Sequence, residues 1–229
     1  MIQTSERTRK YLGVAQCMRL WPGWGPELKE MIDTGMYEAR EVGNLISLNL
    51  SRQSQDVTWN SWAKLEDKGG GVPVDLGEHD ADLVHYLLGM PQSVVATGRK
   101  GIVEGSTGYD NIVTHYDLGP DGPNVITDAN WHMPKGYFDM RYFAVFEGAT
   151  VEYSSHHTPP MRITFNGEAP IAVEVGDMTG WEAVLRHHIE NIEKQRPSEV
   201  VTAKQAAGSL AIVLAAIKSA DTGLVQRLG

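Results

Sequence analysis

The sequence predicts an α+β fold, an open and mostly antiparallel sheet with helices packed on one face and the other face available for oligomerisation. Between Ser93 and Val175 short β-like runs follow one another, and Gly or Pro residues separate nearly all of them. Parallel strands would need crossovers of a dozen residues or more, so this spacing favours an antiparallel meander. Two helices with clear start signals then close the chain.

The first part of the chain contains two helix signals and one short apolar run. Residues Met1–Tyr11 are polar and permit a helix. The run Val14–Met18, which follows Gly13, predicts a short buried strand. Pro26 suits the first turn of a helix that Gly35 ends.

A strand, a loop and a helix follow in that order. Glu41–Arg52 has the apolar content of a strand, and the polar loop after it carries Trp59 and Trp62. The loop ends in three consecutive glycines, Gly69–Gly71. From about Asp75 to Leu88 the leucines recur at helical spacing, which predicts an amphipathic helix.

Two capping boxes predict where the last helices begin. In Thr179–Glu182 and Thr202–Gln205 the threonine bonds forward to the N3 amide, and the Glu or Gln side chain reaches back. The second helix is rich in Ala and ends near Gly223. The predicted meander strands before them are Ser93–Gly98, Asn111–Leu118, Val125–His132, Tyr142–Phe146, Thr150–Tyr153, Arg162–Phe165 and Ile171–Val175.

The composition excludes several classes of protein. Of 229 residues 41% are hydrophobic and 21% charged, which excludes global disorder. The formal net charge of −9 and the lack of long basic runs argue against a nucleic-acid partner. The lone Cys17 excludes an intrachain disulfide and suits a reducing compartment. We therefore expect one cytoplasmic domain over residues 1–229, with no membrane span and no export signal.

The segment Asp75–His79 carries the clearest chemical signal in the sequence. On a helix, Asp75 and His79 are four residues apart and share a face, and Asp82 and Tyr86 extend the same stripe. A carboxylate beside an imidazole can orient it, fix its tautomer and raise its pKa, as a general acid or base near neutral pH requires. The same spacing also occurs on ordinary solvated helix faces, so the pattern alone leaves both interpretations open.

Other catalytic and binding motifs are absent from the sequence. The adjacent pairs His156-His157 and His187-His188 each offer one metal ligand, because neighbouring side chains point apart, so we predict no metal site. Cys17 lies in an apolar run, and we interpret it as inert packing. No Gly-x-Gly-x-x-Gly lies between a strand and a helix, and Gly69–Gly71 do not open into such a context, so we expect no bound dinucleotide.

A series of motifs in a fixed order points to a family. They are Arg19-Leu20-Trp21-Pro22, Asp33-Thr34-Gly35, the Trp-bearing loop, Gly69–Gly71, Asp75–Asp80, Leu87-Leu88-Gly89 and Ala215–Gly223. In order and spacing they resemble the carboxy-terminal part of the Gfo/Idh/MocA oxidoreductases, over essentially the whole chain. In that family an amino-terminal Rossmann domain precedes a domain whose open sheet binds substrate and often forms the oligomer interface.

The resemblance assigns roles to six residues. Asp75 and His79 match the family's Asp-x-x-x-His pair, in which the histidine exchanges a proton with a sugar hydroxyl and the aspartate supports it or contacts the substrate. We therefore expect both to be catalytic. The expected substrate-binding residues are Arg19 and Trp21, on the segment leading to the cleft, and Trp62 and His132, in its wall.

The resemblance begins inside the helix that follows the family's Glu-Lys-Pro motif. Residues 1–12 correspond to a remnant of that inter-domain helix, and the nucleotide fingerprint and the motif's lysine have no counterpart in this sequence. We therefore expect NAD or NADP to be bound only if a Rossmann domain is supplied elsewhere.

Three explanations of this departure stay open. The chain is a natural Rossmann-less relative that keeps the carbohydrate cleft, a fragment of an NAD(P)-dependent sugar or inositol oxidoreductase, or one subunit of a divided enzyme. A Rossmann-less relative would act on a sugar or keto-sugar by His79-mediated proton transfer, or would bind sugar without catalysis as an assembly subunit. Because an unpartnered apolar sheet face is normally covered, we also expect a dimer or tetramer.

Overall fold

The computed structural model describes residues 1–58 and 61–228. Trp59, one of the two tryptophans of the predicted loop, therefore lies outside the described residues. The α-helices are α1 (Ile2–Thr8), α2 (Gly25–Thr34), α3 (Glu78–Leu88), α4 (Gly180–Glu193) and α5 (Ala203–Thr222). The strands are β1 (Met36–Tyr37), β2 (Arg40–Glu41), β3 (Leu45–Gln55), β4 (Ser93–Lys100), β5 (Tyr109–Asp117), β6 (Asn124–Met133), β7 (Phe138–Phe146), β8 (Ala149–Ser154), β9 (Met161–Phe165), β10 (Ile171–Val173) and β11 (Gln226–Arg227).

Within the described residues nine strands form one open sheet, in the order β10-β9-β8-β7-β3-β6-β5-β4-β11. The central pair, β3 and β6, is parallel, and the other neighbours are antiparallel. The strands β1 and β2 form a separate short hairpin. This arrangement confirms the α+β class and a mostly antiparallel sheet. The meander predicted over Ser93–Val175 is interrupted, because β3 lies between β6 and β7 and pairs in parallel with β6.

The core lies between the helices and one face of the sheet. Alternate residues of the central strands, such as Leu48, Leu50, Val125 and Tyr142, are buried on this face. Helix α5 packs against α3 and β4, and α3 also contacts β3 and β6. The opposite face carries no described helix, so the layers are those expected from the sequence.

Both predicted capping boxes are present. Thr179 accepts from the backbone N–H of Glu182 while the Glu182 side chain accepts from Thr179, and Thr202 and Gln205 make the same reciprocal pair. Gly223 ends α5 in the left-handed conformation, with φ +69°. These helix starts and this helix end depend only on residues close together in the sequence, so they could be predicted without the tertiary structure.

The strand predicted over Val14–Met18 is wrong. The chain forms a 3-10 turn over Cys17–Leu20. An apolar run of five residues indicates that the segment is buried, but it does not determine the backbone conformation. Here the 3-10 turn is stabilised by the buried Arg19 side chain. Gly25 then passes so close to the Arg19 backbone that a Cβ atom would overlap it.

Helix α4 exposes its apolar stripe instead of burying it. Trp181, Leu185, Ile189 and Ile192 are each more than half exposed. On the other side of the helix, His188 packs beneath Tyr11, whose hydroxyl lies 2.6 Å from His188 Nδ1. His188 Nε2 also lies 3.0 Å from the carbonyl oxygen of Val14, so this histidine packs between α4 and the segment from Tyr11 to Val14.

Candidate functional site

A tight glycine turn and one π-helical turn precede α3. The π-helical turn covers Pro73–Gly77, so Asp75 lies in it and His79 in the first turn of α3. Before it, Gly71 has φ +70°, and a Cβ atom there would lie 2.7 Å from the carbonyl oxygen of Tyr109. These glycines therefore let segments of the chain approach one another closely.

The His79 imidazole is held in the neutral form. Its Nδ1 atom is buried and has no hydrogen-bond partner among the described residues. Desolvation by burial, and secondarily the charge of Arg52, lower the pKa of His79 from 6.5 to about 3. The expectation of a carboxylate that raises this pKa is therefore wrong, because burial and a nearby cation dominate the surroundings of the ring.

Asp75 is an exposed residue that makes no hydrogen bond to His79 within the described part of the chain. Partial desolvation raises the pKa of its carboxyl, and the indole N–H of Trp131 acts in the opposite direction. The π-helical turn is wider than an α-helical one, so four-residue spacing across it does not give the α-helical alignment that the sequence predicts. The two side chains stay close in sequence without forming a pair.

Arg19 has a structural environment. It donates to both carboxylate oxygens of Asp82, at 2.8 and 2.6 Å, and to the carbonyl oxygen of Val200 at 2.8 Å. The Arg19 and Asp82 side chains are both fully buried, and the guanidinium also lies 5.0 Å from the centre of the Tyr86 ring. Arg19 thus has no exposed surface for a ligand, and Asp82 is not part of a solvated ridge.

The remaining predicted binding residues lie in different surroundings. Trp21 packs edge-on against Trp181, with ring centres 5.1 Å apart. Trp62 is 55% exposed in a 3-10 turn, Ser61–Lys64. His132 lies at the end of β6, and its Nε2 atom is buried without a partner among the described residues.

A carboxyl that sequence reasoning missed lines a cavity beside this turn. Glu78 accepts a hydrogen bond of 2.5 Å from Gln16 Nε2 and lines a concavity of about 430 Å³. Burial raises the pKa of Glu78 to about 7, although the hydrogen bond from Gln16 opposes the shift. In sequence, Glu78 is an ordinary acidic residue of a first helical turn, and no pattern marks it.

Comparison with known proteins places the chain in a family. The profile of the GFO/IDH/MocA C-terminal domain matches residues 27–152, which is more than half of the chain. The chain belongs to the Gfo/Idh/MocA family. No curated protein sequence matches it.

Solved structures of other oxidoreductases share the fold. The aldose-aldose oxidoreductase of Caulobacter crescentus superposes with a TM-score of 0.81 at 18% identity, over 99% of this chain and 67% of its own. An Agrobacterium radiobacter oxidoreductase solved with NAD⁺, L-tartaric acid and magnesium gives 0.78 at 17%, over 99% and 67%. Levoglucosan dehydrogenase solved with NADH and levoglucosan gives 0.76 at 15%, over 95% and 66%. The chain thus spans about two thirds of the length of these Gfo/Idh/MocA-like structures.

Gly69–Gly71 lack the surroundings of a pyrophosphate-binding turn. A pyrophosphate site needs glycine backbone that is open to the ligand, at a turn between a strand and a helix. Here the space beside Gly69 and Gly71 is filled by the backbones of Ala63 and Tyr109, and a 3-10 turn precedes the glycines.

Two further observations concern metal ions and membranes. No group of three or more His, Cys, Asp or Glu side chains in the described ranges is arranged to hold a metal ion. None of the described helices combines the length and the apolar character needed to cross a bilayer. What the segment from Asp75 to His79 offers is a neutral imidazole, two carboxyl groups of raised pKa and apolar surroundings.

Proposed function

We propose that this chain is the carbohydrate-binding part of an oxidoreductase of the Gfo/Idh/MocA family, and that Asp75 and His79 contact hydroxyl groups of a sugar or polyol. The observation that carries the proposal is the His79 imidazole, which is partly exposed and makes no hydrogen bond to a described residue. Its Nδ1 atom has almost no accessible surface, so a ligand hydroxyl would contact the accessible part of the ring. The sugar-acting members among the similar structures support the same ligand class.

The chemistry follows from the charge states of the two groups. A neutral imidazole offers one donor and one acceptor, and a hydroxyl is also both, so His79 can bind sugar without changing its charge. An ionised Asp75 accepts hydrogen bonds only. With a pKa of about 3, His79 is a weak base in this chain, and its main role is to position a hydroxyl.

The site assignment is tested by measuring sugar binding. Calorimetric titration with levoglucosan, glucose and myo-inositol should detect at least one ligand. His79→Gln and Asp75→Asn should each weaken its affinity about tenfold, the cost of one lost hydrogen bond to a buried or charged group. His115→Gln, on an exposed residue of β5, is the matched control and should bind like the wild type.

Two results would contradict the proposal. One is that no sugar or polyol binds, and the other is that both variants retain wild-type affinity. Turnover of a keto-sugar with a rate that depends on His79 would instead favour cofactor-independent proton transfer, and a binding role alone would then be wrong.

We also expect the chain by itself not to bind NADH. The space that a pyrophosphate would need beside Gly69 and Gly71 is occupied by other parts of the chain. Titration of NADH followed by its own fluorescence should therefore show no saturation up to millimolar concentration. A saturable signal would show that the packing of these glycines does not exclude the cofactor.

A further inference from the structure

The cavity that Glu78 lines is separate from the surface of Asp75 and His79, on the neighbouring side of the same helical segment. It is open to solvent on one side, and three parts of the chain line it: the segment before the first 3-10 turn, the start of α3 and the first turns of α5. Its walls are apolar except for one amide and one carboxyl. The lining residues are Val14, Ala15, Gln16, Val74, Glu78, Ala206, Ala207 and Leu210.

Glu78 has no counter-ion in the part of the chain that the structure describes. Within the described residues, no Lys, Arg or His nitrogen lies within 4 Å of its carboxylate. The two cations that act on it, Arg19 and Arg52, are already paired with Asp82 and Asp80 at 2.6 and 2.7 Å.

The other groups around the carboxyl do not supply positive charge either. Asp82 raises the pKa of Glu78, the Cys17 thiol is neutral because burial raises its pKa, and Gln16 donates a hydrogen bond. The cavity lining that α5 contributes is uncharged.

An ionised carboxyl against apolar walls is unfavourable unless something compensates its charge. Two agents can do so here: a proton taken up by the carboxyl, or a cation brought by a ligand. A divalent metal ion is a poor candidate, because Mg²⁺ and Ca²⁺ need six or more oxygen ligands and this cavity offers one carboxyl and one amide. An ammonium group on a carbon skeleton suits both the charge and the apolar walls.

We propose that this cavity binds an organic amine, with its ammonium group on the Glu78 carboxylate and its carbon skeleton against Val14, Val74 and Leu210. The inference goes beyond the proposed function, since it concerns a different cavity and does not depend on the sugar contacts of His79. The pKa of Glu78, about 7, is consistent with it, because at neutral pH a bound ammonium displaces a proton from the carboxyl.

The experiment compares two probes of the same shape and different charge, cyclohexylamine and cyclohexanol. At pH 7 the alkylamine is protonated, since such amines have pKa values of about 10. Calorimetric titration should show that cyclohexylamine binds at least tenfold more tightly than cyclohexanol. Repeating the titration in phosphate and in MOPS, which carries no primary ammonium group and has a different ionisation enthalpy, should show release of about half a proton per amine bound.

Variants then assign the preference to one carboxyl. Glu78→Gln keeps the size of the side chain and its hydrogen bond to Gln16, and should lose both the amine preference and the proton release. Glu193→Gln removes an exposed carboxyl of α4 and should change neither. A far-ultraviolet circular dichroism spectrum and a thermal unfolding curve establish that each variant is folded.

The wild-type chain gives a readout that needs no variant. In a carbon-13 NMR titration, saturating cyclohexylamine should lower the pKa of the Glu78 carboxyl by one unit or more. Equal affinity for the two probes, no detectable amine binding, or an unchanged Glu78 titration would each overturn the proposal. If the amine binds at Glu78 and no sugar binds anywhere, this inference stands and the proposed function fails.

Discussion

At the scale of single residues, the pKa values of two consecutive side chains are shifted in opposite directions. Burial raises the pKa of Glu78 from 4.5 to about 7 and lowers that of His79 from 6.5 to about 3. Desolvation is the first cause in both cases, because it disfavours whichever form is charged: the deprotonated carboxyl and the protonated imidazole. Both groups are therefore neutral from about pH 4 to about pH 6.

These opposite pKa shifts predict how the stability of the chain depends on pH. The native chain holds the Glu78 proton more tightly than the unfolded chain, so this residue's contribution to stability is present below pH 4.5 and is lost as pH rises through about 7. The His79 contribution has the opposite sign and is lost as pH falls from 6.5 to about 3. Each amounts to at most a few kcal/mol, at about 1.4 kcal/mol per pKa unit.

Urea unfolding of three proteins from pH 3 to 8 measures both contributions. Relative to the wild type, Glu78→Gln should remove the loss of unfolding free energy between pH 4.5 and 7. His79→Gln should remove the loss below pH 6.5. Curves that run parallel to the wild type over the whole range would show that neither side chain is desolvated as described.

At the scale of elements, α3 is fixed to the chain by two buried ion pairs. Arg19, in the first 3-10 turn, binds Asp82, and Arg52, on β3, binds Asp80. The Asp82 carboxylate also accepts from Ser209 Oγ of α5 at 2.7 Å, so it joins three elements. These contacts set the position of Glu78 and His79 at the start of the helix.

Breaking one of these pairs should be costly. Asp82→Asn leaves the Arg19 charge buried without its partner, which is expected to lower the free energy of unfolding by about 3–5 kcal/mol. Asp33→Asn is the control, because Asp33 pairs with Lys29 at the exposed surface of α2. Such an exposed ion pair contributes less than about 1 kcal/mol to the free energy of unfolding. Guanidinium unfolding at pH 7 compares them, and equal losses in the two variants would contradict a special role of burial.

At the scale of the whole molecule, the sheet has one face without a helix. Three apolar side chains on this face, Val113 of β5, Ile126 of β6 and Phe143 of β7, are 37–41% exposed. Their neighbours along each strand are buried on the opposite, helix-covered face. Asn49 of β3 lies between Ile126 and Phe143, so this face mixes exposed apolar and polar side chains. Exposed apolar side chains on one sheet face favour association of two copies.

We therefore expect a dimer or tetramer formed through this face. Sedimentation at micromolar concentration should show an oligomer for the wild type and a monomer for the double variant Ile126→Asp, Phe143→Asp. Leu185→Asp, on the exposed stripe of α4, is the control and should leave the oligomer intact. A wild-type monomer, or dissociation by Leu185→Asp alone, would count against the sheet face as the interface.

Much of the fold and part of the site could be predicted from the sequence. The capping boxes at Thr179 and Thr202 and the helix end at Gly223 depend on residues near in sequence, which is why they could be predicted directly. The alternation of the strands marks which side chains face the core whatever the partner strand is, so it too could be predicted. The strand prediction for Val14–Met18 failed because the backbone conformation there depends on the burial of Arg19, whose partner Asp82 lies 63 residues away.

The sequence by itself determined the order of the elements and the family to which their motifs belong. Only the tertiary structure decided the charge states at the start of α3. The neutral imidazole of His79 reflects burial beside Arg52, and the raised pKa of Glu78 reflects an apolar cavity shared with α5. Desolvation depends on which segments pack around a group, and residue spacing along the chain does not contain that information.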